Sequence, residues 1–186
     1  MDNKIKNDII ERLLKLDEEV SLTFDDSESY YEMVIVGGGA LVLIDKLTRA
    51  TQDIDTIQSP KELYPFLEKY DINTNVLAYM MNFAPDYYDR RIRIDIPTTK
   101  IHFYTASLED IVISKLFSER PKDKNDIMNP EIINSLDWNK LDEIINSEDF
   151  KDNILNEHQH KMFLYNYRDY RKEALNEETY IAGISL

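Results

Sequence analysis

The sequence predicts a small mixed α/β fold, with a mixed sheet flanked by helices and a helical region at its C-terminal end. Apolar residues recur at intervals of three and four near the start, and residues 33–36 and 91–96 are typical of strands. After Asp126 the pattern is helical only. The 186 residues are enough for one ordinary domain. We therefore predict a core over residues 1–127, which includes the N-terminal helix, and a helical region packed on it over 128–186.

The first part of the chain alternates helices and strands. The periodic apolar residues predict an amphipathic helix over 5–20, followed by an acidic loop over 23–30. Three glycines break the apolar strand over 33–36, and residues 40–47 again have helical character. A half-buried strand is predicted over 52–57, and the next helix begins a few residues later.

Strict alternation makes residues 91–96 the clearest strand prediction. Three isoleucines face one side of this strand, which we expect to be the core side. The polar side carries Arg91, Arg93 and Asp95. A further strand is predicted over 100–104, and Ser107 opens the next helix with a sequence that resembles a capping box.

Composition excludes several classes of function. With 36 acidic and 22 basic side chains, the net charge of −14 argues against extended, nonspecific binding of nucleic acid. No cysteine is present, which excludes disulfides, zinc–thiolate sites and cysteine nucleophiles. The N-terminus has no signal-peptide pattern, and no apolar run approaches the roughly 20 residues of a membrane span. We expect a soluble, cytoplasmic protein without membrane partners.

The first candidate site is the turn formed by Gly37, Gly38 and Gly39, between a strand and a helix. Glycines in such a turn let backbone N–H groups approach an anion. The alternative is a tight structural turn, because the sequence matches neither dinucleotide-binding nor Walker A spacing.

The second candidate is the pair Asp53 and Asp55. On a strand both carboxylates project to one side, with backbones about 7 Å apart, where they can bind one or two divalent cations. The alternative is a solvated strand end in an acidic protein. Asp95 would add a third carboxylate to this pair if its strand lay next to the strand of Asp53 and Asp55. Otherwise Asp95 would form surface ion pairs with arginines of its own strand.

The third candidate is Lys115, which occupies an apolar position of the predicted helix after Ser107. A buried lysine needs an anionic partner, so Lys115 either extends to solvent or meets a phosphate or a carboxylate. The charged segment 120–126 follows, and because it contains Pro121 we predict a solvated loop there.

The order of these motifs carries a resemblance to a known family. Gly37-Gly38-Gly39-Ala40-Leu41 followed by Arg49-Ala50-Thr51-Gln52-Asp53-Ile54-Asp55 resembles the opening of minimal nucleotidyltransferases, in particular the AbiEii toxin group. The later motifs Asp110-x-x-x-x-Lys115 and Arg120-x-Lys122-Asp123-x-x-Asp126 are also similar to that group. The resemblance covers about residues 33–126.

The resemblance implies a Mg²⁺-dependent transfer of a nucleoside monophosphate from an NTP to an unknown acceptor (RNA, protein or small molecule). It assigns Asp53, Asp55 and Asp95 to catalysis and to a two-metal site. The residues that it implies for nucleotide binding are Gly37, Gly38, Gly39, Arg49, Thr51, Lys115, Lys122, Asp123 and Asp126. It also implies a possible antitoxin partner. The alternative is an inactive nucleotide-binding or protein-interaction module with the same fold.

Overall fold

The computed structural model describes residues 2–24, 30–48, 51, 53–74, 82–153 and 157–176. In these ranges the strands are β1 (Tyr31–Val36), β2 (Ile54–Gln58), β3 (Ile72–Asn73), β4 (Ile92–Arg93) and β5 (Ile101–Thr105). The α-helices are α1 (Asp2–Thr23), α2 (Gly37–Leu43), α3 (Tyr64–Leu67), α4 (Leu108–Leu116), α5 (Pro121–Ile127), α6 (Pro130–Ile133), α7 (Trp138–Asn146), α8 (Glu148–Asn153) and α9 (Glu157–Leu175). Short 3₁₀ helices flank α3, and another spans Tyr87–Arg90.

The strands form one mixed sheet in the order β3-β2-β1-β5-β4. The central strand β1 pairs antiparallel with β2 and parallel with β5. At the two edges, β3 runs parallel to β2 and β4 runs antiparallel to β5. This confirms the predicted mixed α/β class, and it brings the end of β1 beside the start of β2.

Apolar side chains on both sides of β1 fill the core. Met33, Val34 and Ile35 are fully buried. Helix α1 contributes one apolar side, which is also fully buried: Ile9, Leu13, Leu16 and Val20. Each such side chain stabilises the fold by about 1.5–3 kcal/mol relative to an exposed position. The predicted opening helix is therefore confirmed, and α1 packs on α2 and α3.

A buried carboxylate joins α1 to the start of β5. The two oxygens of Asp17 accept hydrogen bonds from the backbone N–H groups of Thr99 (2.8 Å), Lys100 (2.8 Å) and Ile101 (2.6 Å). Asp17 is buried, so these bonds replace the hydrogen bonds that water would make to the carboxylate and to the three N–H groups. The contact fixes the chain where it enters β5.

The strand predicted over 91–96 is much shorter than expected. Only Ile92 and Arg93 form β4, and the side chain of Ile92 is 45% exposed at the edge of the sheet. Beyond β4 only one more backbone hydrogen bond to β5 forms. Two tight turns then follow, and each is closed by a hydrogen bond from an N–H group to the carbonyl two residues earlier in the chain. Pro97 lacks an N–H group and cannot continue the pairing.

Two helix boundaries also differ from prediction. Helix α2 begins at Gly37, so the glycines form its first turn instead of a separate loop. The segment predicted as a solvated loop contains α5, with Pro121 in the first turn, where its missing N–H group needs no partner. Helix α5 buries Asp123 and Asp126, and α4 contacts α5, α7 and α9. Among the described residues, no helix has the length and apolar character of a membrane span.

Candidate active site

The chain turns sharply where β1 ends, and the turn depends on Gly37. Gly37 has a φ of 66°, a left-handed conformation that side chains disfavour. A Cβ atom at this position would lie 3.1 Å from Oδ2 of Asp55, which is too close for an unperturbed contact. A Cβ at Gly39 would meet its nearest atom, the Asp53 carbonyl oxygen, at an ordinary 3.7 Å. The conformational requirement for glycine therefore falls on Gly37.

Asp55 stands beside this turn because it pairs with Val36, the last residue of β1. Its Oδ1 accepts a hydrogen bond from the Asn73 side-chain amide at 3.2 Å. Burial raises the pKa of the Asp55 carboxyl, and the negative charge of Asp53 adds to the increase. The bond from Asn73 and the positive charges of Arg120 and Lys115 oppose the increase.

Asp53, two residues earlier, is exposed, and its negative charge acts on Asp55. The hydroxyl of Thr51 donates to the Asp53 carbonyl at 3.2 Å, which fixes the approach to β2. Arg49, which the family resemblance assigned to nucleotide binding, lies outside the described residues.

A buried ion-pair cluster holds α4 against α5. The Lys115 ammonium donates to Oδ1 of Asp123 at 2.5 Å and to Oδ2 of Asp126 at 2.8 Å. The other Asp123 oxygen accepts from the hydroxyl of Ser118 (2.7 Å) and from Nε of Arg120 (2.6 Å). Burial raises the pKa of Asp123, but the bonds from Lys115, Ser118 and Arg120 outweigh burial, and the net shift is downward.

The cluster decides between the alternatives left open for Lys115. Its ammonium does not extend to solvent, because the side chain is only 6% exposed, and its partners here are carboxylates. The cluster also adds Arg120 to the candidate site. Its side chain is 77% exposed although Nε is bonded to Asp123, and its charge acts on Asp55. The spacing of Arg120 and Asp123, three residues apart, indicates this pair only if the segment is a helix, whereas the sequence predicted a loop.

Lys122 and Asp110 occupy different surroundings. Lys122 is exposed in the first turn of α5. Asp110 is fully buried and has a structural role: its carboxylate accepts from the hydroxyl of Ser107 and from two nitrogens of Arg90, and its N–H bonds the same hydroxyl. The predicted N-cap at Ser107 is confirmed.

The sheet order separates Asp95 from the other two aspartates. Asp55 lies level with the end of β1, whereas Asp95 lies beyond Arg93, toward the start of β5. Three strand spacings across the sheet and about four residues along it separate Asp55 from Asp95 by roughly 20 Å. The expected convergence of three carboxylates is therefore wrong. The arginines of that strand engage other groups: Arg91 pairs with Glu32, and Arg93 lies over the Tyr104 ring.

Asp53 and Asp55 thus remain as the candidate metal ligands. The described part of the chain contains no group of three or more acidic or histidine side chains arranged to hold a metal ion. A pair of carboxylates still fits Mg²⁺, which usually binds one or two carboxylates and takes its other ligands from substrate phosphates and water. The pKa of Asp55 is raised because its carboxylate is buried and lies near the negative charge of Asp53. A bound cation would compensate for both effects.

Comparison with known proteins gives one family. The family model described as "Nucleotidyltransferase of unknown function (DUF6036)" matches residues 11–175, which include all five strands described here and most of the helices. No curated protein and no solved structure matches the chain significantly.

Proposed function

The chain belongs to the DUF6036 family of nucleotidyltransferases of unknown function, and on this basis we propose that it transfers a nucleoside monophosphate from an NTP to an acceptor with the help of Mg²⁺. The observation that supports the proposal best is the position of Asp55. Its carboxylate lies against the Gly37 turn and within the electrostatic reach of Arg120 and Lys115. Carboxylates that can hold Mg²⁺, with cations near them, suit a magnesium–triphosphate ligand.

Asp53 and Asp55 would hold Mg²⁺, which would supply neutralisation of the negative charge that develops on the phosphate oxygens. Asp95 is left out of this proposed site because of its distance from Asp55. The absence of a side chain at Gly37 leaves room for the Asp55 carboxylate beside the turn.

The two cations have different tasks in this proposal. Arg120 has an exposed guanidinium that can donate to phosphate oxygens while its Nε remains on Asp123. Lys115 is held by Asp123 and Asp126, so it fixes α5 and adds positive charge near the phosphates. In the reaction, the oxygen of an acceptor hydroxyl bonds to the α-phosphorus and its proton passes to water. The bond from the α-phosphorus to the oxygen that bridges to the β-phosphate breaks, and pyrophosphate leaves. Binding of nucleotide by Thr51 and Lys122 remains a prediction.

A labelling experiment tests the proposal. The purified protein is incubated with each of the four NTPs, labelled in turn at the α- and γ-phosphate, together with total RNA or total protein as acceptor. We expect transfer of the α-label, no transfer of the γ-label, and loss of transfer when EDTA is added or Asp53 is changed to Asn. Asp95→Asn is the matched control, because it removes an exposed aspartate outside the proposed site and should leave transfer unchanged.

Two results would contradict this proposal in different ways. NTP binding in a calorimeter without any transfer would favour the alternative of a nucleotide-binding module that retains the fold. Failure of all four NTPs to bind, with and without Mg²⁺, would contradict both the transfer reaction and a nucleotide-binding role.

The resemblance to the AbiEii group adds a proposal about biology, that the protein is the toxin of a toxin–antitoxin pair. Induced expression in a bacterial host should then arrest growth, and Asp53→Asn should abolish the arrest. Equal arrest by the wild type and the variant would separate toxicity from the proposed reaction.

A further inference from the structure

The edge strand β3 contains only two residues, and they have different surroundings. Ile72 pairs with Ile54 of β2 and is 4% exposed, so it belongs to the core. Asn73 pairs with Asp55 and is half-buried. Because β3 runs parallel to β2, the side chains of paired residues lie on the same side of the sheet. Strand β3 therefore brings one amide group directly beside the Asp55 carboxylate.

Backbone contacts hold the chain in place where it enters β3. The carbonyl oxygen of Asp71 accepts a hydrogen bond from the N–H group of Ile54 at 3.2 Å. Asp71 has a φ of 53°, the left-handed conformation in which the preceding 3₁₀ helix ends. A residue other than glycine keeps this conformation where its surroundings determine it. A different side chain at Asn73 would remove none of these backbone contacts.

The two oxygens of the Asp55 carboxylate also differ in their surroundings. Oδ1 accepts the hydrogen bond from the Asn73 amide at 3.2 Å, whereas Oδ2 lies beside Gly37. Within the described part of the chain, no group donates a hydrogen bond to Oδ2. A carboxylate that is held at one oxygen presents the other in a fixed direction. Hydrogen bonds of this kind orient the ligands of metal ions in proteins.

We propose that Asn73 positions Asp55 for the metal ion: its amide occupies Oδ1 and leaves Oδ2 to bind Mg²⁺. The inference rests on the proposed function, in which Asp53 and Asp55 hold this ion. Asn73 acts through Asp55 and needs no contact with Mg²⁺ or with the nucleotide. An amide suits this position, because it adds no negative charge where two carboxylates already lie near each other.

Substitutions at Asn73 separate the loss of the donor from a loss of packing. Asn73→Leu removes the donor at a similar side-chain size, and Asn73→Ala also removes it, should the leucine variant fail to fold. Asn73→Gln keeps an amide donor on a longer side chain. Thr74→Val is the matched control. It replaces a polar group by an apolar one at the next residue, whose hydroxyl makes no hydrogen bond in the described ranges.

Calorimetry measures the binding of Mg²⁺ alone and in the presence of inorganic tripolyphosphate, and urea unfolding without Mg²⁺ measures stability separately. We expect Asn73→Leu to weaken Mg²⁺ binding by at least about tenfold, the lower end of the effects of lost hydrogen bonds to metal ligands. Asn73→Gln should recover part of this affinity, and Thr74→Val should bind Mg²⁺ as the wild type does. In transfer assays, Asn73→Leu should need more Mg²⁺ for its half-maximal rate by the same factor, whereas saturating Mg²⁺ should restore the wild-type rate.

The inference is overturned if Asn73→Leu binds Mg²⁺ as tightly as the wild type, or if Asn73→Gln loses as much affinity as Asn73→Leu. A lower unfolding free energy with unchanged Mg²⁺ affinity would assign Asn73 a purely structural role. Transfer by these variants would still support the proposed function. If the wild type binds Mg²⁺ neither alone nor with tripolyphosphate, the proposed function fails, and the inference fails with it.

Discussion

Asp55 lies against Gly37, so that a Cβ atom on the glycine would approach Oδ2 of the aspartate to 3.1 Å. Gly37 directly follows the last residue of β1, and Asp55 lies at the start of β2; these two strands pair antiparallel. The turn and the carboxylate are therefore fixed by the same pair of strands, and a change at Gly37 affects both.

Gly37→Ala should destabilise the protein by about 1–2 kcal/mol, because alanine disfavours the left-handed backbone conformation. The short contact with Asp55 should add to this loss. Gly39→Ala is the control. It lies inside α2 and has room for a Cβ, so it should stabilise the helix by about 0.5–1 kcal/mol. Urea unfolding of both variants measures the difference, and equal effects would contradict the special role of Gly37.

Asp55→Asn should raise the melting temperature without Mg²⁺, because it removes a partly buried charge while an amide oxygen can still accept the bond from Asn73. The folded-state pKa of Asp55 lies above its ordinary value of 3.8. Its contribution to stability is therefore fully present below that value and is lost as the pH rises through the folded-state pKa.

The gain in melting temperature from Asp55→Asn should consequently be absent in acid and grow as the pH rises above 3.8. Thermal melts over a pH series measure this dependence. Mg²⁺ should stabilise the wild type and leave the variant unchanged. A variant that is less stable than the wild type at neutral pH would indicate a structural role for the Asp55 carboxylate instead.

The sequence predicted the elements whose periodicity directly reflects burial. The apolar side of α1 and the run that forms β1 are examples, since each buries the residues that define its pattern. Alternation also indicates which side of a strand a residue faces. It carries no information about strand order, and for this reason Asp95 was expected beside Asp55 although two strands separate β4 from β2.

The site was predictable where the signal was local. Lys115 stood out because it interrupts an apolar helical pattern. Its partners Asp123 and Asp126 could not be assigned, because their burial depends on α5 forming, and α5 is stabilised by the ion pairs themselves. A run of charges with a proline has the same composition whether it is a loop or a helix.

Asp17→Ala should destabilise the protein by roughly 2–4 kcal/mol, because it removes the acceptor for three backbone N–H groups at the start of β5. Glu18→Ala is the control. The neighbouring glutamate is exposed on the same helix, and its loss should change the unfolding free energy by less than about 0.5 kcal/mol. Urea unfolding gives both values. Similar values for the two variants would show that water replaces the Asp17 carboxylate without loss.

Lys115→Met should destabilise the protein by roughly 3–5 kcal/mol, because it leaves two buried carboxylates without their shared cation. The geometry excludes the opposite expectation, that an apolar side chain in this apolar position would stabilise the helix. Lys122→Met is the control, since Lys122 is exposed on α5 and its loss should have little effect on unfolding by urea.

Combining Lys115→Met with Asp123→Asn and Asp126→Asn should recover part of the stability, because amides are far less unfavourable than unpaired carboxylates when buried. Recovery would assign the loss in the single variant to uncompensated charge and not to packing around the methionine. If the triple variant is no more stable than Lys115→Met alone, the ion pairs are not what joins α4 to α5. NTP titrations of the same variants, at equal ionic strength, would then show whether Lys115 also contributes its charge to the phosphates.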